Sequence, residues 1–437
     1  MIVDEVKEYL MDFQKGELPG LIERDLKIAD TNKIVSIIGP RRAGKTFFLY
    51  QKIKHLLEDG IKKENIVYLN FEEPRLIGIG FKEVRETIKL QWQLYPASSK
   101  SELYIFMDEP QNIKDWAVAV RGLHDEGFKI FLTGSSSKLL SREIATSLRG
   151  RTLSYLLLPF SFREYLKAKK LRFDIARLSS VEKASLLQQL DKYLEYGGFP
   201  EIILEQDSYN RMKIISEYFN LVVYKDIVER YNIRNTQLIR WVIKTLINSF
   251  SGEFSIHKAY LSLKSQGIRA SKNTLYSYLS LLEDSVFIFT LQKFSRSIRK
   301  KQLSLNKVYL CDTAFANVGE ISKNIGKRME NLVFLELARR AHPLGEIFYW
   351  KNLQQEEVDF LIKEKTSIKE LMQVCYEINN ITTKQREIRA LLKAATETKC
   401  KNLTIITYDH EGSEEASWFN MRGKIIFIPL WKFLLEE

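Results

Sequence analysis

Cysteine is scarce in this chain of 437 residues. Cys311, Cys375 and Cys400 are all there is, and no two of them share the C-x-x-C spacing of a zinc or redox site. A disulfide framework is excluded on the same count. No apolar run reaches the ~18 residues that a membrane-spanning helix needs. The first residues, Met1 to Glu8, are too charged for the apolar core of a signal peptide, so no membrane association and a cytoplasmic location are expected. Internal repeats and low-complexity linkers are missing too. At roughly 100–200 residues per domain, the length then predicts two to four closely packed domains.

What is present is the composition of a globular protein, 45% hydrophobic and 28% charged. Lys and Arg number 67 against 55 Asp and Glu, a net charge of +12 that is spread unevenly. From Phe254 to Cys311 there are two acids, Glu283 and Asp284, and ten basic residues, among them Lys272, Arg296, Arg299, Lys300, Lys301 and Lys307. A local excess of this size predicts an acidic partner for the segment.

Residues 1–30 read as a short amphipathic lead-in. Five β-rich apolar runs follow, Ile34–Ile38, Ile66–Phe71, Leu103–Met107, Ile130–Thr133 and Leu153–Leu158, separated by helical stretches. That alternation predicts an α/β domain with a parallel sheet over residues 31–165. Residues 166–235 are mainly helical and are interrupted by Gly197-Gly198-Phe199-Pro200. Helices followed by a strand pair occupy 236–310, and mixed helix and strand occupy 311–437.

Between the first run and a helix over Phe47–Leu57 stands Gly39-Pro40-Arg41-Arg42-Ala43-Gly44-Lys45-Thr46, a complete G-x-x-x-x-G-K-T. Glycines let the backbone curl so that successive N–H groups point at phosphates, and the helix N-terminus adds its positive end. Lys45 would neutralise the β- and γ-phosphates, and the Thr46 hydroxyl would reach Mg²⁺. Gly39 to Phe47 therefore form the expected nucleotide cradle. The third run ends in Asp108-Glu109, at the sheet edge where parallel folds bind ligands. Asp108 would hold the metal and Glu109 would orient the attacking water. With no N-K-x-D guanine reader near this core, ATP with Mg²⁺ is the expected pair.

Thr133, at the end of the fourth run, is a candidate polar sensor of the γ-phosphate, although a plain polar turn fits equally. Arg149 and Arg151 precede the fifth run, where an arginine could stabilise transition-state charge within the chain or across the interface of a homo-oligomer. A surface arginine pair is the alternative.

These motifs, with Leu148-Arg149-Gly150-Arg151-Thr152 and the continuation Leu158-Pro159-Phe160-Ser161-Phe162-Arg163-Glu164-Tyr165, resemble archaeal and bacterial AAA-type ATP-binding proteins close to the STAND branch of P-loop ATPases. The resemblance covers nearly the whole chain. It implies an additional-strand ATPase sheet (31–165), a helical lid (166–235), a winged helix (236–310) and a restriction-endonuclease-like domain (311–437). Gly197-Gly198-Phe199-Pro200 is similar to the Gly-x-Pro element of STAND lids, which implies Pro200 as an adenine contact.

The basic segment supports a helix-turn-helix on its own residues. A helix from Ser271 to Glu283 would bury Leu275, Tyr278, Leu279 and Leu282 and leave Lys272, Asn273 and Tyr276 for a DNA groove. Arg296, Arg299, Lys300 and Lys301 lie between two apolar runs, as a basic wing would. Double-stranded DNA is the expected partner, with an acidic protein partner as the alternative.

The last part is similar to restriction-endonuclease-like cores. Asp359 matches a first metal carboxylate, and Glu330 matches a helical acid. Where active members carry Glu-x-Lys, this sequence reads Gln373-Val374-Cys375. Glu377 and Lys384 are the candidate replacements. The expectation is a degenerate domain without cleavage, beside two rival readings: a slow nucleotide-controlled switch that binds a protein, and an ATP-gated nuclease.

Overall fold

The computed structural model describes residues 2–96, 103–134, 148, 150–319, 324–341 and 345–436. It forms two compact units: Met1–Leu158 with Asp284–Val286, and Pro159–Glu283 with Phe287–Glu437.

In the first unit, α1 (Ile2–Lys15) is followed by β1 (Ile34–Ile38), α2 (Lys45–Glu58), β2 (Ile66–Asn70) and α3 (Phe81–Leu94). Then come β3 (Tyr104–Asp108), α4 (Trp116–Asp125), β4 (Lys129–Gly134) and β5 (Thr152–Leu156). The strands run parallel in the order β2-β3-β4-β1-β5. The four strands β1 to β4 are rich in Ile, Val, Leu and Phe because they are largely buried, whereas the edge strand β5 is half-exposed. With β4 inserted between β1 and β3, the loop after β1 and the carboxylates ending β3 emerge at one edge of the sheet. Residues 1–30 are not a separate lead-in. Val6, Tyr9 and Leu10 join this unit's core, and the Tyr9 hydroxyl accepts from the Asn70 amide at 3.1 Å.

The second unit opens with α5 (Phe162–Ala168), α6 (Ser180–Tyr196), α7 (Pro200–Leu204), α8 (Ser208–Leu221) and α9 (Thr236–Asn248). Ser161 and Ser179 start α5 and α6 with capping boxes, each closed by a glutamate three residues on. Next are β6 (Gly252–Phe254), α10 (Ile256–Ser265), α11 (Lys272–Asp284), β7 (Ile288–Leu291), α12 (Ile298–Leu303) and β8 (Asn306–Leu310). Strand β8 lies between β6 and β7, antiparallel to both. The chain ends with α13 (Ile325–Arg340), β9 (Gly345–Lys351), β10 (Glu357–Glu364), β11 (Ser367–Cys375), α14 (Ile381–Thr398), β12 (Leu403–Thr407), β13 (Gly412–Trp418), β14 (Met421–Pro429) and α15 (Leu430–Leu435). Its sheet has the order β13-β14-β12-β11-β10-β9, and β12 runs parallel to both neighbours.

Two expectations change within this unit. One apolar core runs from Phe199 through Leu246 and Leu282 to Phe315, so residues 235 and 310 mark no break in packing. The basic stretch after β7 is also no free wing. The Phe294 amide donates to the Tyr349 carbonyl at 2.7 Å, and the Tyr349 amide donates to the Gln292 carbonyl at 3.1 Å. The segment thus continues past Leu291 along β9, the edge strand of the six-stranded sheet, whose unpaired backbone groups invite such pairing.

Gly197-Gly198 has a packing reason. Gly197 has φ 73°, and a Cβ there would lie 1.6 Å from Asp312 Oδ1. The Asp312 carboxylate accepts from the Gly198 and Ala314 amides, each at 2.8 Å. Burial pushes this carboxyl up to about 6, against the pull of those amides and of Arg339 and Arg328. A folded-state value above the unfolded one favours the protonated folded form. That contribution is full below about pH 4 and is lost as pH rises through 6. Asp312→Asn cannot titrate, so its stability relative to wild type should increase between pH 4.5 and pH 7, measured by urea denaturation. A relative stability that falls over that interval would contradict the assignment.

Candidate functional site

The cradle is set by backbone geometry. Gly39 passes so close to β5's end that a Cβ would meet the Leu157 carbonyl oxygen at 2.0 Å. Arg42 and Gly44 take positive φ, 67° and 93°, which turns successive amides inward. Lys45 opens α2 and is buried, and its Nζ donates to the Gly39 and Pro40 carbonyls at 3.3 and 3.2 Å. The same ammonium stands 3.5 Å from Glu109 Oε1. Arg41 pairs with Glu72 at 3.2 Å, and Phe47 is exposed.

Arg24 is a positioning residue that no local motif announces. It is buried, and its guanidinium donates to the Ala43 carbonyl at 2.9 Å and the Leu158 carbonyl at 2.6 Å. Its backbone exchanges hydrogen bonds with the Gln51 side chain at 2.8 and 3.1 Å. The loop is therefore held from the side by a residue 19 positions upstream of Ala43. Only the tertiary fold brings the two together.

Asp108 is the centre of the site. Thr46 donates to its Oδ2 at 2.6 Å, Tyr68 donates to the same oxygen at 3.2 Å, and Thr133 donates to Oδ1. Burial raises the Asp108 carboxyl, while the Thr133 and Thr46 hydroxyls favour its charged form. The Glu109 amide donates to Thr133 Oγ1 at 3.0 Å, and Gln111 donates to the Glu109 carboxylate. Glu109 is buried and left-handed at φ 51°, an uncommon conformation for glutamate. Thr46 and Asp108 are hard oxygen donors in contact, a fit for Mg²⁺.

One expected residue is not brought here. Arg151 immediately precedes β5, where its carbonyl accepts from the Ile34 amide at the start of β1 and not at its phosphate end, and it pairs with Asp125 at 3.1 Å. Arg149 lies outside the described residues. Pro200 is the first residue of α7, in the second unit.

On the basic segment, α11 buries Leu275, Tyr278 and Leu282 and exposes Lys272, Asn273 and Tyr276, the division that helical spacing predicts. The Ser271 hydroxyl caps it, accepting from the Thr274 amide at 3.0 Å. Lys272 Nζ lies 5.6 Å from the centre of the Tyr260 ring. Arg296 and Arg299 are exposed, Lys301 is half-buried, and the side chain of Lys300 lies outside the described residues. Lys307 is not part of this surface.

Lys307 instead points inward from β8 and is 1% exposed. Its Nζ lies 2.9 Å from Glu330, 2.6 Å from Glu357 and 2.8 Å from Asp359. Burial alone would lower its pKa, but the carboxylates of Asp359 and Glu330 outweigh that and hold it well above the usual lysine range. The expected pair Glu330 and Asp359 does meet, on an ammonium. Among the described residues no group of three or more His, Cys, Asp or Glu is arranged to hold a metal ion. Gln373 accepts from the Asp359 amide at 3.0 Å and donates to Glu387 at 2.7 Å. Neither candidate replacement joins them: Glu377 lies exposed beyond the end of β11, and Lys384 bonds Glu414 at 2.6 Å. Burial pushes the Cys375 thiol up to about 12, as suits a packed hydrophobe. Sequence reading missed Lys307, Glu357 and Glu387. The one available signal was the i, i+2 spacing of Glu357 and Asp359 on a strand.

Residues 31–166 match the model of an AAA domain. Residues 187–323 match the domain of unknown function DUF8612, and residues 325–432 match DUF4143. The uncharacterized protein MJ1544 of Methanocaldococcus jannaschii is 43% identical over 420 residues, 95% of this chain and 91% of that protein. An uncharacterized protein of Haemophilus influenzae is 30% identical over 82% of this chain and 86% of its own length. Among solved structures, the Aeropyrum pernix ORC1 protein in complex with DNA aligns over 72% of this chain and 90% of its own, with 13% identity and a TM-score of 0.28. No helix among the described residues is long and apolar enough to cross a membrane.

Removing the Lys307 ammonium leaves the buried Asp359 and the half-buried Glu330 without their cation, while Glu357 keeps Lys351. Lys307→Ala should cost about 3–5 kcal/mol, the range for breaking a buried ion pair from one side. Chemical denaturation of the full chain measures this, and a loss under about 1 kcal/mol, the level of a surface pair, would contradict it.

Proposed function

The chain belongs to the same family as the Methanocaldococcus jannaschii protein MJ1544, and from that premise we propose an Mg²⁺-dependent ATP hydrolase whose nucleotide cycle governs its grip on double-stranded DNA. The observation that carries the reading is the network in which Asp108, Thr46 and Thr133 meet beside the Lys45–Glu109 pair. The AAA-domain match over residues 31–166 supports it.

In this reading the inward amides of Gly39 to Thr46 bind the phosphates, and Lys45 exchanges its loop carbonyls for β- and γ-phosphate oxygens. Thr46 and Asp108 would hold Mg²⁺, which supplies charge neutralisation along the phosphate chain. Glu109, released from Lys45 by the same exchange, orients a water for in-line attack and takes up its proton. Thr133 is a positioning residue: one hydroxyl fixes the Asp108 carboxylate and the Glu109 amide together. An arginine acting within the chain loses support at Arg151, which pairs with Asp125 at the other sheet edge.

DNA binding is proposed on the charge of the basic segment and on the exposed Lys272, Asn273 and Tyr276 at the start of a capped helix. The order helix, strand, two helices, strand, short helix, strand from α9 to β8 supports a winged-helix reading. In the last part, the mixed sheet supports a restriction-endonuclease-like reading. The Lys307 ammonium at the expected carboxylates speaks against metal-dependent cleavage there.

ATP hydrolysis by the full chain with Mg²⁺, with and without duplex DNA across a salt series, tests the proposal. Lys45→Ala and Glu109→Gln should each lower kcat by at least about 10²-fold, the scale of a lost general base. Stimulation by DNA should fade as salt rises. Hydrolysis indifferent to DNA would shift the reading to a nucleotide-controlled switch that binds a protein.

A further inference from the structure

Because the segment after β7 runs along β9, its cations face the last part of the second unit. Arg296 and Lys301 from that segment, Lys363 from β10 and Lys399 after α14 line one open groove of about 540 Å³. Glu346 is the one acid on its wall among the described residues, and Lys363 holds it in an ion pair. Lys301 stands 4.4 Å from the centre of the Phe348 ring, which fixes that ammonium over the floor of the groove. The guanidinium of Arg296 is anchored to the Glu397 carbonyl at 3.3 Å.

Lys399 adds an independent sign. It ends α14 in left-handed backbone, φ 62°, where glycine is the favoured residue. It has no ion pair among the described residues, so its charge is left to the groove.

We propose that this groove seats the phosphodiester backbone of double-stranded DNA, with Lys363 and Lys399 completing a surface begun by Arg296 and Lys301. The inference rests on the DNA-binding reading above and names residues outside the basic segment. Beside the cations, the Ser295 hydroxyl, which accepts from the Ser297 amide at 3.2 Å and keeps its own hydrogen, supplies a further phosphate donor. Among the described residues no Asn or Gln lines the groove to read a base edge, and Arg296, the side chain best suited to a guanine, is tied to the Glu397 carbonyl. Contacts here therefore hold the duplex without selecting its sequence.

The test is binding of a labelled mixed-sequence duplex to the full chain over a salt series, for wild type, Lys363→Gln, Lys399→Gly and their double variant. Lys213→Gln, on the exposed face of α8, is the control. Each groove variant should lower the slope of log affinity against log salt by about 1, and the double variant by about 2. The loss should be the same for unrelated duplex sequences. Lys399→Gly replaces a strained left-handed residue with the one that fits, so a loss there is not explained by unfolding. Wild-type binding with groove variants that behave like Lys213→Gln overturns the groove and leaves the DNA reading intact. Absence of wild-type duplex binding overturns both. Binding of polyglutamate in place of duplex, lost in the same variants, would assign the groove to an acidic protein and overturn the proposal.

Discussion

A buried lysine ammonium with three carboxylates around it, Asp359 buried and Glu330 and Glu357 half-buried, fixes how the second unit is assembled. Lys307 comes from β8, Glu330 from α13, and Glu357 and Asp359 from β10. Taking any of these charges into a low-dielectric interior alone would cost several kcal/mol, so none can be buried until the others are in place. The cluster thus couples the small antiparallel sheet to the six-stranded one, and Tyr309 extends it by donating to Glu330 at 2.8 Å. Lys351 carries it further by pairing with Glu357 at 3.3 Å and Glu253 at 2.9 Å. Such a network need not add net stability, because a well-packed apolar substitute could do as well. What it contributes is a requirement for one register between the two sheets.

That requirement explains where sequence reading succeeded and where it failed. The first sheet was legible because its information is local: continuous apolar runs, a glycine loop and strand-end carboxylates, each within ten residues. The exposed face of α11 was legible for the same reason, since helical spacing alone separates Leu275 and Tyr278 from Lys272 and Tyr276. Lys307 was misread because a sum of charges carries no information about burial. In the sequence it stands beside a cationic stretch, while in the fold it sits on an apolar strand followed by Val308, Tyr309 and Leu310. Arg24 was invisible because its partners are backbone carbonyls, which leave no residue-type signature. Glu377 stands apart for a simpler reason: it lies two residues past Cys375, where β11 ends and strand alternation no longer sets which face a side chain takes.

The docked course of residues 292–294 changes what the basic segment can do. A free wing would sample many orientations and lose side-chain entropy on each phosphate contact. Here the backbone is tied to β9, one lysine is parked over Phe348, and Arg296 is anchored to a helix carbonyl. The cations are placed before any ligand arrives, so less ordering remains to be done on binding.

The two units answer the same physical problem in opposite ways. In each, carboxylates at strand ends or in strands are buried and must be kept charged or be neutralised. The second unit brings its own cation in Lys307, with the shortest contact at 2.6 Å, so a dissolved metal would have to displace a covalently tethered competitor. The first unit surrounds Asp108 with the hydroxyls of Thr46, Tyr68 and Thr133, which can rotate, and places its nearest cation, Lys45, on Glu109 and the loop carbonyls. Hydroxyls can turn a lone pair toward an incoming metal while still bonding the carboxylate, whereas an ammonium cannot. Of the two carboxylate clusters, then, the one at Asp108 is built to respond to a cation from solution. On the proposed reading, chemical energy enters this protein there, and the second unit supplies a surface to be gripped or released.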